Sequence, residues 1–192
     1  NIKEIKNDNV IYIFIDASNV WSAVKSVKKF IEYKTLKGYF RKKFNADNVE
    51  IFYYDAYPKA GTRDYNLDGK HKFFTYLKKG LGFTVRKKEL KRISVVSANG
   101  ESIIEKGNMD VEITIDAMHN IQKYNIAIFF SGDADFLALV NYIKNIGKKV
   151  YIFSSKDNIS HELKTGGDGY FDLKDVSEFW GKDLKYREKR AV

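Results

Sequence analysis

The chain has 192 residues, of which 44% are hydrophobic and 31% are charged, so it can bury a sizeable core within a well-solvated surface. It contains no cysteine, which excludes disulfides, thiolate metal sites and cysteine nucleophiles and is typical of a reducing, cytoplasmic location. Thirty-four lysines and arginines against 25 acidic residues give a net charge of +9, which favours polyanionic partners. No apolar run approaches the roughly 20 residues that span a bilayer, so we expect no membrane partner.

Short apolar runs rich in β-branched and aromatic residues predict strands that are buried on both faces, and apolar residues at helical spacing predict the helices between them. In chain order these are a strand at 10–15, helices at 19–30 and 35–44, a strand at 49–54, a helix at 71–79, a strand from 83, a helix at 109–122, a strand at 125–130, a helix at 134–146, a strand at 150–153 and a short helix at 159–164. This alternation indicates right-handed crossovers and an α/β fold. We expect a three-layer, doubly wound, mostly parallel sheet with helices on both faces.

Two further segments interrupt the alternation. Residues 58–69 include the only proline and no periodic pattern, which favours a loop. Two strand-like runs between 90 and 105 flank Asn99-Gly100, a pair that favours a β-hairpin turn. One domain over 1–180 accounts for the chain, and the charged residues 181–192 are expected to form a tail.

Aspartates follow the strands at the edge where ligands of open α/β sheets bind, outside the carboxyl ends. Asp16 follows the first strand, Asp133 and Asp135 follow the strand at 125–130, and Asp110 stands at the start of a long helix. Carboxylates that converge at one edge repel one another, and a hard divalent cation such as Mg²⁺ or Mn²⁺ relieves that repulsion. These segments therefore predict a metal site able to hydrolyse phosphodiesters.

Each aspartate also has a purely structural explanation. Asp16 and Asp133 could cap helices, and Asp110 could complement a helix dipole. It is the joint occurrence of three such segments that favours a metal site. Asp116 lies six residues after Asp110, roughly 120° around a helix, so we expect it to support the site indirectly or to pair with a cation.

Other chemistries lack their residues. The sequence has no glycine-rich phosphate loop, no histidine pair at the spacing of a helical zinc site and no serine in a nucleophile elbow. Ser18 stands where a phosphoaspartyl transferase requires a second aspartate. Trp21 and Trp180 are predicted to lie in the core and not to serve as base-stacking platforms.

Three segments together resemble the NYN domain family, PIN-like nuclease domains that include LabA-like bacterial proteins. They are IDASN at 15–19, KGNMDVEITIDA at 106–117 and FSGDADF at 130–136, with a weaker match in SHELKTGGDGYFDL at 160–173. The resemblance covers roughly 10–173 and implies a PIN-like fold with Mg²⁺- or Mn²⁺-dependent cleavage of RNA. The sequence departs from the family pattern at Asn108-Met109, where relatives are smaller and more apolar, and at Gly166-Gly167.

The resemblance and the strand ends together assign candidate residues. The candidate catalytic residues are Asp16, Asp110, Asp133 and Asp135, of which the first three are candidate metal ligands. The candidate supporting residues are Asn19, Asp116, Ser131 and Lys106. The candidate nucleic-acid-binding residues, which could equally form an ordinary solvated surface, are Arg41, Lys42, Lys43, Lys78, Lys79, Arg86, Lys87 and Lys88.

The predicted function is that of a divalent-metal-dependent endoribonuclease that hydrolyses single-stranded RNA. A module that binds RNA or protein without cutting is the first alternative, and a nuclease directed at DNA is the second. A homodimer formed through an exposed sheet edge or the hairpin at 90–105 is a further expectation.

Overall fold

The computed structural model describes residues 9–97 and 100–184. The strands are β1 (Val10–Asp16), β2 (Lys29–Ile31), β3 (Asn48–Tyr57), β4 (Thr84–Glu89), β5 (Lys91–Ser97), β6 (Gly100–Lys106), β7 (Ile126–Phe130), β8 (Lys149–Ser154), β9 (Gly169–Asp172) and β10 (Trp180–Asp183). The α-helices are α1 (Ala17–Val27), α2 (Leu36–Phe44), α3 (Asp68–Thr75), α4 (Asp110–His119), α5 (Leu137–Asn145) and α6 (His161–Gly166). None of these helices is long and apolar enough to cross a membrane.

Six strands form one sheet in the order β4-β3-β1-β7-β8-β9, and every neighbouring pair is parallel. Alternate residues of β1 point to opposite faces. Ile11, Ile13 and Ile15 pack with α1, α2 and α3 in one core, whereas Tyr12 and Phe14 pack with α4, α5 and α6 in the other. The predicted three-layer α/β fold is confirmed.

The helix predicted at 19–30 is wrong at both ends. It begins at Ala17, because the Asp16 side chain accepts a hydrogen bond from the Ser18 N–H and caps it. It ends at Val27, because Lys28 adopts the left-handed conformation with φ 59°. Phe30 lies instead in β2, which pairs antiparallel with β10. Residues 181–183, predicted as part of a tail, belong to β10, and 185–192 lie outside the described residues.

Two other helices differ from expectation in their end turns. The helix predicted at 71–79 begins at Asp68, and its last turn, Tyr76–Gly80, is π-helical. The helix predicted at 134–146 opens with a 3₁₀ turn over Ala134–Phe136 before α5. Side-chain periodicity does not distinguish these tighter or wider turns from an α-helix.

The predicted hairpin is present as a separate two-stranded sheet of β5 and β6. Ser97 pairs with Gly100 across its end, so a two-residue connection joins the strands. That connection, residues 98–99, includes the predicted Asn99 and lies outside the described residues. The base of the hairpin is anchored to the main sheet, because the Leu90 N–H donates to the Tyr57 carbonyl at 2.8 Å.

Candidate metal centre

Asp16 is the last residue of β1 and only 6% exposed. Its Oδ1 accepts hydrogen bonds from the Ser18 N–H at 3.0 Å and the Ser18 hydroxyl at 2.8 Å, and its Oδ2 accepts from Asn19 Nδ2 at 2.6 Å. Three donors thus compensate for the burial of this carboxylate and fix its orientation.

Asn19 joins the ends of β1 and β7. Its Oδ1 accepts from the Gly132 N–H at 3.0 Å and from Asn158 Nδ2 at 2.7 Å. The orientation of the Asn19 amide is determined chemically, since a backbone N–H can only donate and the Asp16 carboxylate can only accept. The Asn19 amide therefore links Asp16 to the β7 end and to the loop that carries Asn158.

Three further carboxylates meet at the same edge. Asp110 opens α4, and Asp133 caps the 3₁₀ turn that contains Asp135, accepting the Asp135 N–H at 3.0 Å. One oxygen from each of these three side chains lies within 4.8 Å of the others. Asp135, predicted as catalytic but not as a metal ligand, therefore lies in the tightest group. Asp16, a predicted ligand, lies outside this group, although its charge acts on Asp110.

Electrostatic repulsion within this group is concentrated on Asp110. Partial burial and the charges of Asp133, Asp16 and Asp135 raise the pKa of Asp110 to about 6, against an opposing effect of Lys88. The donor set fits a hard cation, because carboxylate oxygens are the ligands that Mg²⁺ and Mn²⁺ prefer and a divalent charge offsets this repulsion.

Comparison with known proteins identifies the family of the chain. The sequence model of the NYN domain matches residues 10–174 of the chain. The chain belongs to the NYN domain family. This is a PIN-like nuclease family, and the predicted resemblance is confirmed.

One relative of this NYN domain is the Low amplitude and bright protein LabA of Synechococcus elongatus. The two are 30% identical over 167 residues, which cover 87% of this chain and 85% of LabA. A crystal structure of a protein of unknown function from Vibrio parahaemolyticus superposes with a TM-score of 0.64 at 24% identity. The match covers 91% of this NYN domain and 98% of the Vibrio chain, so the two share the fold.

Two of the predicted supporting residues have defined hydrogen-bond partners in the NYN domain. The buried Ser131 hydroxyl accepts from the Asp133 N–H at 3.3 Å. Asp116 accepts from the Tyr54 hydroxyl at 2.9 Å and from Arg86 Nε and Nη2 at 3.0 and 2.9 Å. Asp116 therefore pairs with a cation, which is one of the two roles expected for it from the sequence.

The predicted basic residues are dispersed over the NYN domain. Residues 41–43 end α2, where the Asn9 side chain donates to the Phe44 carbonyl. Because Asn9 immediately precedes β1, this group lies at the opposite end of the sheet from Asp16, roughly 20 Å away along the strand. Residues 78–79 are exposed in the π-helical turn, about 13 Å along the helix from Lys70, which pairs with the β3 end.

The basic residues of β4 lie closer to the aspartates, but each contacts another side chain. Arg86 is paired with Asp116, and Lys88 Nζ contacts Glu112 at 2.7 Å. Lys87 lies over the Phe74 ring at 5.3 Å. Lys106, at the end of β6, is exposed and stands opposite Lys91. Of all the predicted basic residues, Lys88 is the one whose charge acts on Asp110.

Two residues near the site were not predicted from the sequence. Asp55, buried in β3, pairs with Lys70 Nζ at 3.0 Å, and burial raises its pKa while Lys70 opposes the rise. The rule that selected Asp16 would have found Asp55, because it also follows an apolar run. Asn158 had no such signal, since its role depends on a loop that approaches Asn19 from 139 residues away.

An open cavity of about 570 Å³ adjoins the aspartates. Its lining is polar and contains no lysine or arginine: Ser18, Asn19, Ser22, Gly132, Asp133, Ala134, Asp157, Asn158, Ile159 and Ser160. Gly132 is required here, because a Cβ at this position would lie 2.2 Å from the Asn158 carbonyl oxygen. The cavity gives a ligand access to Asp133 from the side of α1.

Proposed function

We propose that this NYN domain is a divalent-metal-dependent endoribonuclease that acts on single-stranded RNA. The observation that carries the proposal is the convergence of Asp110, Asp133 and Asp135 within 4.8 Å, with Asp16 close enough to raise the pKa of Asp110. The nuclease family and the net charge of +9 support a nucleic-acid substrate.

Asp110, Asp133 and Asp135 would hold Mg²⁺ or Mn²⁺, with Asp16 adding negative charge beside them. When bound, the cation would supply Lewis-acid activation of the phosphodiester and of the attacking water. Ser18 and Asn19 orient Asp16 through the hydrogen bonds that they donate to its carboxylate. The Ser131 hydroxyl positions the backbone of Asp133 by accepting a hydrogen bond from its N–H.

The charge of the site sets an order of events. Four carboxylates repel a phosphodiester when no cation is present, so RNA cannot occupy the site productively on its own. Asp110 must be ionised to act as a ligand, which occurs as the pH rises above about 6 in the cation-free protein. Lys88, held by Glu112, provides a positive charge next to Asp110 for the substrate backbone.

The test is cleavage of end-labelled single-stranded RNA and matched DNA with Mn²⁺, Mg²⁺ or EDTA, comparing the native protein with Asp16→Asn. Asparagine also caps helices well, so the variant should keep its fold and lose metal-dependent cleavage. Asp172→Asn is the matched control, because Asp172 also caps a turn at a strand end but lies three strands from β1, roughly 14 Å across the sheet.

The expected result is RNA cleavage that EDTA and Asp16→Asn abolish and Asp172→Asn preserves. Equal cleavage by Asp16→Asn would contradict the assigned site. Retained RNA binding without any cleavage would indicate a non-catalytic binding module, and preferential cleavage of DNA would reassign the substrate.

A further inference from the structure

Trp21 does not lie in the core, contrary to the sequence-based prediction. It projects from α1 with 46% of its surface exposed, beside the equally exposed Phe30 of β2, and the two ring centroids are 6.5 Å apart. Trp180, by contrast, packs against the core and donates its indole N–H to the Leu173 carbonyl at 3.1 Å. An exposed pair of large aromatic rings is the kind of apolar surface that marks a binding site.

Three lysines lie close to these two residues in the chain. Lys25 follows Trp21 by four residues and so lies on the same face of α1, while Lys28 and Lys29 lead directly to Phe30. All three are exposed, and none forms a salt bridge within residues 9–97 and 100–184. We call Trp21, Lys25, Lys28, Lys29 and Phe30 the aromatic–basic platform.

The Trp21 end of the aromatic–basic platform adjoins the cavity at the candidate metal centre. Trp21 lies on α1 between Ser18 and Ser22, and both serines line the 570 Å³ cavity that also contains Asp133. A chain bound across the platform would therefore reach the carboxylates through this cavity. The cavity lining has no cationic side chain, and Lys174, which contacts the lining, is paired with Asp157. Within the described residues, the lysines of the platform are positive charges that no acidic side chain engages.

We propose that the aromatic–basic platform binds unpaired bases of the RNA strand whose backbone enters the cavity at Asp133. This inference rests on the proposed function and specifies how the substrate is held. The faces of Trp21 and Phe30 would stack with bases, and the lysines would contact phosphates, as in proteins that bind single strands without sequence preference. Base-paired RNA keeps its base faces stacked within the helix, so the platform selects single strands.

Charge also distinguishes this occupant from a second copy of the chain. Self-association through the platform would bring two sets of three unpaired lysines together, and like charges that are desolvated at an interface oppose binding. A polyanionic strand instead neutralises them and releases counterions.

The test measures binding of a labelled oligouridine RNA of about 12 nucleotides to the full chain in EDTA, where no metal-dependent cleavage occurs. Tryptophan fluorescence and anisotropy are recorded for the native protein, Trp21→Phe, Trp21→Ala and the control Tyr142→Ala. Tyr142 is equally exposed but lies on α5, on the opposite face of the sheet.

The expected result is quenching of tryptophan fluorescence by RNA in the native protein and in Tyr142→Ala. Trp21→Phe should lose the quenching yet bind within about threefold of the native protein, and Trp21→Ala should bind about tenfold more weakly. A self-association that Trp21→Ala removes, or native affinity in Trp21→Ala, would overturn the inference. Metal-dependent cleavage that neither Trp21 substitution changes would also overturn the inference, while it would leave the proposed function intact.

Discussion

At the scale of single residues, Asp110 links protonation to metal binding. Its pKa is raised from 3.8 to about 6 by burial and by three neighbouring carboxylates. Without a cation the folded protein therefore holds this proton more tightly than the unfolded chain does. The free energy of unfolding should fall as the pH rises from about 4 to about 6 and stay lower above that range.

The first prediction concerns that titration. Asp110→Asn should raise the stability of the cation-free protein at pH 7 by about 1 kcal/mol, since solvent screens this partly exposed group, and the gain should vanish below about pH 4. In the native protein, Mn²⁺ affinity should fall as the pH drops through about 6, because protons compete for Asp110. Urea unfolding in EDTA measures the change in stability, and calorimetric titration measures the Mn²⁺ affinity. An affinity that does not change across that pH range would contradict the role of Asp110.

Residue identity alone explains part of the site. Asp16, Asp110 and Asp133 could be selected from the sequence because each stands at a strand end or a helix start. The same rule, that an aspartate at a strand end is a candidate, would also select Asp55. It cannot reach Asn158, because nothing local to residues 155–160 indicates which distant amide they approach.

At the scale of elements, the junction that follows β7 holds the site together. Gly132 donates its N–H to Asn19 and accepts from the Ser160 N–H at 2.9 Å, so it ties the α1 start to the α6 start. Its missing side chain is essential, since a Cβ would lie 2.2 Å from the Asn158 carbonyl oxygen and 2.7 Å from the Ser154 hydroxyl. The backbone segments can approach this closely only around a glycine.

The second prediction follows from this close approach. Gly132→Ala should destabilise the protein by about 1–3 kcal/mol and weaken Mn²⁺ binding, because the loop that carries Asn158 must move away. Gly38→Ala is the control: Gly38 lies within α2 with nothing within 4 Å of its added Cβ, so stability should rise by about 0.5–1 kcal/mol. Urea unfolding measures both, and a neutral Gly132→Ala would show that the loop can shift without strain.

The elements themselves were predictable where side-chain patterns are long. The strands β1, β3, β7 and β8 coincide with predicted runs, because burial on both faces demands continuous apolar sequence. Only the start of β4 was predicted, since this strand is charged and partly exposed, and β9 was not predicted. The short strands β2 and β10 were missed. Each has three or four residues and is partly exposed, so it shows no pattern that differs from a loop.

At the scale of the whole molecule, the net charge of +9 includes basic side chains that form salt bridges and others that do not. Lys70, Arg86 and Lys88 pair with Asp55, Asp116 and Glu112 around the sheet edge. The three lysines of the aromatic–basic platform form no such pairs within the described part of the chain. We therefore expect a few particular lysines, and not the overall charge, to govern RNA binding.

The third prediction is the salt dependence of that binding. Neutralisation of three phosphates by the platform lysines corresponds to a slope of about −2 in log affinity against log salt concentration. Lys25→Glu should make the slope shallower by about 0.7 or more, whereas Lys42→Glu, at the opposite end of the sheet, should leave it unchanged. Equal effects of the two variants would show that binding depends on net charge alone.

The sequence by itself determined the alternating parallel architecture and the strand ends that carry aspartates, because both follow from local apolar patterns and from the fixed direction of parallel strands. Only the tertiary structure decided which side chains meet there. It placed Asn158 against Asn19, engaged Arg86 with Asp116 and left Trp21 exposed beside the cavity. The physical reason is that these relations depend on contacts between segments far apart in the chain, whose approach is set by the packing of the whole fold and not by the residues next to them.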